Sequence, residues 1–200
     1  WELYFHQPRD IKARDIYPPD YQAGWTPSGK EIPLINPLNG KSTEPDPKER
    51  FFVELGTGTR KFTVPALFQE DNLWEDLMTS GYQKLDVFIT ILRMLALGYG
   101  LDQNFFVKNT RQATHRLTAT AANMKTYGKD ATRLAGRQTD LNLVSVFGES
   151  NYPGHLVFSE KIGLNCIVRS HPSHLLIVAG EQLECLTGGA IKAPPQETLV

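Results

Sequence analysis

Hydrophobic and polar positions divide this chain into three textures. In "YQKLDVFITILRMLAL", residues 82–97, Leu85, Phe88, Leu92 and Leu95 recur at spacings of three and four, and Ile89, Ile91 and Met94 widen the stripe. That period lays them on one helical face. It predicts a helix over 82–97, stopped by Gly98 and Gly100. "LDQNFFVKNT" then reads as a short helix capped by Asp102. Beyond residue 113 the period shortens. "HRLTATAANM", "LNLVSVFG", "HLVFSE", "LNCIVRS" and "HLLIVAGEQLECL" are alternating or β-branched runs separated by turns such as "ESNYPG" and "SHPSH". Short strands at this spacing predict a sandwich, barrel or jelly roll.

The first fifty residues are different again. They hold most of the 13 prolines, and each proline removes a backbone donor and fixes its own φ. Residues 1–50 are therefore expected to form an irregular, extended, Pro-rich arm with a few short strands. Tyr17, Tyr21 and Trp25 imply that the arm packs on the core. Residues 51–200 supply the folded body, and the whole is expected to be one domain. "ERFFVELGTG" predicts a strand ending in a glycine turn. Its Gly56-Thr57-Gly58 lacks the following Lys-Ser/Thr of a phosphate loop.

Composition narrows the function. The 200 residues are 40% apolar and 22% charged, with a net charge of −1 and a pI near 6.6. There is no basic stripe to suit nucleic acid. No apolar run approaches the roughly 18–20 residues that a membrane helix needs. "WELYFHQPRD" lacks the apolar centre of a signal peptide. The expected setting is cytoplasmic and the expected partner a small molecule. Cys166 and Cys185 are too few for a disulfide framework, and their apolar surroundings predict buried free thiols.

The candidate chemistry lies in "LAGRQTDLNLVSVFG", residues 134–148. Residues 141–147 alternate like a strand. If that strand begins at Gln138, then Gln138 and Asp140 point to one face, with Asn142 and Val144 following on the same side.

The order of the pieces "LALGYGLDQNFF", "QTDLNLVSVFGESNYPG" and "LLIVAGEQLECLTGGAIKAPPQ", after "PDPKERFFV", resembles the isopenicillin N synthase-like, Fe(II)/2-oxoglutarate-dependent oxygenases over about residues 45–200. The resemblance implies a mainly β fold with flanking helices (α+β): a double-stranded β-helix, or jelly roll. The family holds iron with a His-x-Asp pair and a second, distant His. Two imidazoles and a carboxylate leave open positions for cosubstrate and O₂. On that alignment Asp140 matches the family's Asp. Gln138 stands at the first His position, and Gln196, after Pro195, at the second. The family's tyrosine position falls at Thr120 or Ala121. Its Arg-x-Ser pair would lie beyond Val200. If the chain is complete, the open sheet edge implies a homo-oligomer that covers it.

An amide is a poor replacement for imidazole on Fe(II). The leading expectation is therefore a degenerate iron site in a repurposed enzyme of secondary metabolism. No cofactor is expected. It would carry out a non-oxidative cyclisation, isomerisation or elimination. Asp140 would be acid or base in apolar surroundings, and Gln138 and Gln196 would orient the substrate. His155, or else His115, could serve as a base, because imidazole titrates near neutrality. Arg116 and Arg169 are candidates for a substrate carboxylate. His171 and His174 read as a solvated turn. One alternative is a working dioxygenase with unusual ligands, needing Fe(II) and 2-oxoglutarate. Another is a non-catalytic binding or partner subunit. Two retained amides mildly favour the first reading, since burying unpaired polar groups costs roughly 1–3 kcal/mol each.

Overall fold

A computed structural model describes residues 1–17, 23–32, 44–56, 63–110, 113–130, 132–169 and 171–200. The chain divides into two units, residues 1–26 with 50–121 and residues 27–49 with 122–200. The Pro-rich arm is thus shared between them.

The first unit opens with short helices rather than an extended arm: α1 (Glu2–Phe5), α2 (Arg9–Lys12) and a 3-10 turn at Ala13–Asp15. The prolines that forbid a long helix leave room for single turns, and Pro8 lies just before α2, where its missing donor costs nothing. Tyr21 and most of the Gly56–Gly58 turn lie outside the described residues. Strands β1 (Gly24–Thr26) and β2 (Lys48–Leu55) pair antiparallel, with Trp25 opposite Phe51, and β2 also borders β3 (His115–Ala122). Tyr4, Trp25, Phe51, Val53, Leu55 and Phe68 form the core. The Tyr4 ring lies 4.7 Å from Phe51, and its hydroxyl donates to Asp15 Oδ2 at 2.8 Å, so its polar end is satisfied where its body is buried.

Helix α3 runs from Leu73 to Gly98, nine residues earlier than the apolar stripe predicts. Glu75 and Asp76 occupy its first turn, where acidic side chains complement the helix dipole. Gly81 lies buried inside it, and a Cβ there would sit 3.2 Å from Leu55 and Leu117. Glycine is needed here because the helix packs closely on the sheet at this point. Helix α4 (Phe105–Thr110) follows, and Asp102 Oδ1 accepts the Asn104 N–H at 3.1 Å in the turn that leads into it.

Among the described residues the second unit contains α5 (Met124–Tyr127), capped by the Asn123 side chain, and six strands: β4 (Arg133–Gln138), β5 (Val144–Phe147), β6 (His155–Ser159), β7 (Leu164–Ile167), β8 (Leu176–Ala179) and β9 (Gln196–Leu199). They make a four-stranded sheet in the order β4-β9-β6-β7 and a two-stranded sheet of β5 and β8. Pairing within both is antiparallel. "HLLIVAGEQLECL" is not one strand: after β8, Gly180 breaks it and Glu181–Leu186 forms helix α6, with Glu181 and Glu184 in its first turn. Cys166 on edge strand β7 and Cys185 on α6 are free thiols, as expected, but both are exposed rather than buried. Every residue of β7 faces solvent, so an apolar run there did not mean burial.

Asp46 ties the segment before β2 to β4. Its Oδ1 accepts the Gly136 N–H at 2.9 Å. Its Oδ2 lies 2.8 Å from Lys48 Nζ off the hydrogen-bonding direction, an ionic contact rather than a directed bond. Lys48 also meets Glu31 at 3.2 Å.

Candidate functional site

The site residues fall on the four-stranded sheet and on the link after it. Gln138 ends β4 and stands opposite Gln196 of β9. Gln196 in turn stands opposite Val157 of β6, two residues after His155. Opposed residues, and residues two apart on a strand, share a face. The two amides and the imidazole therefore project from one side of three adjacent strands. Gln196 is 6% exposed, while Gln138 and His155 are half-buried. His155 Nε2 donates to Gln196 Oε1 at 2.8 Å, and the Phe147 ring lies 5.2 Å from the imidazole. Among the described residues the Gln138 amide has no hydrogen-bond partner. Arg137, the next residue back, faces the other side, its guanidinium 4.5 Å over the Phe158 ring.

Asp140 is not on a strand with Gln138. Residues 139–143 form a link between β4 and β5. The start of α6 holds it: the Glu181 N–H donates to the Asp140 carbonyl at 2.8 Å, Gly180 N–H to that of Leu143 at 3.0 Å and Gln182 N–H to that of Asn142 at 3.2 Å. These bonds replace the strand ladder that the alternation implied. They also need Gly180, where a Cβ would meet the Asn142 carbonyl oxygen at 2.0 Å. The predicted common face of Asp140, Asn142 and Val144 is thereby lost. Asn142 is exposed, and Val144 is buried at the head of β5.

Asp140 and Asn142 meet through a residue that the sequence did not single out. The Ser145 hydroxyl donates to Asp140 Oδ2 and accepts from Asn142 Nδ2 at 2.8 Å. The Thr139 hydroxyl bonds Glu181 Oε1 beside them. Asp140 is thus half-buried among hydroxyl and amide groups, not in an apolar wall. Nothing in the alternation of "LNLVSVFG" flags Ser145, because its partner is reached only when the link folds back.

The remaining candidates fall on other elements. Arg116 is exposed on β3 of the first unit, and Arg169 is exposed just beyond β7. His115 is half-buried, its ring 5.4 Å from Phe88, and burial pushes its pKa down against the opposing bond that the ring donates to the Thr110 backbone. His171 and His174 make the exposed turn that the sequence implies, with rings 4.8 Å apart and Ser173 bridging them. Among the described residues no three His, Cys, Asp or Glu side chains gather as a metal-holding group, and no helix is long and apolar enough to cross a membrane.

Antiparallel sheets with flanking helices are an architecture that solved structures share. A Neurospora crassa protein crystallised in complex with alpha-KG matches with a TM-score of 0.78 at 19% identity, over 99% of this chain and 62% of that one. JOX2, crystallised with 2OG, Fe and JA, matches at 0.77 and 18%, over 100% and 57%. A 2OG-Fe(II) oxygenase family protein from Caulobacter crescentus matches at 0.76 and 21%, over 98% and 64%. The chain therefore spans somewhat under two thirds of these proteins. No family model and no curated protein matches it. At these identities the likeness concerns the fold: the chain has the double-stranded β-helix fold of the Fe(II)/2-oxoglutarate-dependent oxygenases.

Proposed function

We propose that this chain is an oxygenase-fold protein whose polar set carries out a non-oxidative conversion of a small organic molecule, with Gln138 and Gln196 standing where the resembled family keeps its histidines. The observation that carries this reading is the bond from His155 Nε2 to Gln196 Oε1. It ties the Gln196 carbonyl oxygen, the atom with which that side chain could act as a metal ligand, to a side chain of this protein, and Ser145 does the same to Asp140 Oδ2. Two neutral amides beside one carboxylate do not fit an Fe(II) site, which favours two imidazoles with the carboxylate. No step is therefore routed through iron.

The same groups suit binding and proton movement. An amide offers both a donor pair and an acceptor, so Gln138 and the Gln196 NH₂ can orient a carbonyl or hydroxyl of the substrate. His155 is the group that takes and returns a proton. The reaction class that needs nothing more is an isomerisation. A proton leaves one substrate atom for the imidazole, the electron pair it leaves shifts within the substrate, and the proton returns at the other end of that shift. Atoms and electrons balance without an oxidant. Secondary metabolism remains the expected setting.

A second reading, a dioxygenase with unusual ligands, draws on the fold neighbours, one of which was crystallised with 2OG and Fe. An anaerobic Fe(II) titration with and without 2-oxoglutarate, followed by metal analysis, separates the two. The non-oxidative reading expects no stoichiometric uptake at micromolar metal. Tight binding of one iron per chain would overturn it in favour of the second reading.

A further inference from the structure

We infer that Gln196 is a positioning residue that fixes His155 with its proton on Nε2 and leaves Nδ1 as the acceptor for a ligand proton. The inference rests on the non-oxidative reading above and deepens it by assigning the roles of the two imidazole nitrogens.

A neutral imidazole has one N–H and one acceptor nitrogen, and the bond at one nitrogen decides the role of the other. Gln196 Oε1 can only accept, so Nε2, 2.8 Å away, must donate. The amide is itself held in place. It is 6% exposed and sits on β9, which is paired on both sides, by β4 and by β6. The imidazole is anchored through its backbone, where the His155 carbonyl accepts the Val168 N–H at 2.8 Å, and its ring packs near Phe147. Nδ1 has no partner among the described residues. A half-buried ring with one nitrogen satisfied by a buried amide and the other unpaired is set up to receive a hydrogen bond from outside the protein. When Nδ1 takes up a ligand proton, the Nε2–H bond to Gln196 strengthens, because its donor has become cationic. Gln196 thus does for His155 what a carboxylate does in other His-centred sites, without adding a charge.

The test is long-range proton–nitrogen NMR of the full chain, ¹⁵N-labelled and free of metal, at a pH where the imidazole is neutral. His155 is assigned by loss of its signals in His155→Asn. The expected spectrum shows one Nε2–H tautomer for His155. Gln196→Leu should collapse it to an averaged pattern, and Gln196→Glu, which keeps the acceptor, should restore it. Backbone amide signals of the other strands report whether each variant is folded. An Nδ1–H tautomer in the wild-type protein, or an unchanged pattern in folded Gln196→Leu, overturns the inference. Those failures differ from failure of the parent reading, which shows as iron uptake in the separate titration.

Discussion

Replacing Asp46 by alanine tests how the second unit holds the strand that carries Gln138. Asp46 and Lys48 are 2% and 3% exposed and lie 2.8 Å apart. Breaking a buried pair by removing one partner costs about 3–5 kcal/mol, because the other charge stays buried. Two features adjust that figure. Glu31 remains 3.2 Å from Lys48 and is itself 26% exposed, so the ammonium keeps one carboxylate. The Gly136 N–H loses its acceptor, which adds roughly 1–3 kcal/mol. The two effects share one side chain and do not simply add. The expected loss for Asp46→Ala is about 3–4 kcal/mol, a large part of the ~5–15 kcal/mol that holds a domain folded. Asp46→Asn keeps an acceptor for Gly136 and should lose only about 1–2 kcal/mol. Urea unfolding at constant slope reads both values, and amide exchange should show Gly136 losing protection in Asp46→Ala alone. A loss below about 1 kcal/mol, or unchanged Gly136 protection in Asp46→Ala, would refute the assignment of this cluster as the anchor of β4.

Three further outcomes follow from the described contacts. Burial holds His115 below its ordinary value of 6.5, so folding favours the neutral ring; that contribution is complete above 6.5 and is lost as pH falls through the lower folded value. His115→Gln should flatten the decline in urea midpoint on acidification below 6.5. Burial raises Asp15 above its ordinary 3.8, against the opposing bond from Tyr4, so its contribution runs the other way and is lost as pH rises through the folded value. Asp15→Asn, which still accepts from Tyr4, should therefore raise the midpoint at neutral pH and leave it nearly unchanged well below 3.8; an unchanged neutral midpoint would count against it. Gly180→Ala would place a Cβ 2.0 Å from the Asn142 carbonyl. It should cost roughly 1–3 kcal/mol by overpacking, seen as a lower thermal midpoint, and an unchanged midpoint would show that the 139–143 link yields freely.

Legibility followed the reach of each contact. The α3 stripe was readable because helical neighbours are three and four residues apart, as was the role of Asp102 in the turn into α4, whose partner Asn104 is two residues away. The early start of α3 had no such local signal: Gly81 lies within the helix, and the reason for glycine there lies on Leu55 and Leu117 in other elements. Strand β4 carries no signal of its own, because "RLAGRQ" has no alternation and its place depends on Asp46, ninety positions earlier. The family resemblance set Gln138 and Gln196 in one site, and the ladder puts them opposite each other. Alternation alone put Asp140 on a strand, and the backbone of α6 instead folds that stretch into a link. Ser145 and the direction of the His155 bond had no sequence signal at all.

The amide pair and Asp140 are held by different kinds of support, and that bears on how this site can change over evolutionary time. Gln138, Gln196 and His155 are built into three strands that brace one another, so a substitution nearby has little room to reposition them. Asp140 and Asn142 hang on a five-residue link fastened to α6 by main-chain bonds and by the Thr139 side chain, and to Ser145 of β5 by the Asn142 side chain. Leu141 and Leu143 make no such side-chain bond, so change can be sampled at 141 and 143 while the main-chain fastening and the amide–imidazole set stay intact. The strand-borne groups are conservative by construction, and the link keeps two positions free to diversify.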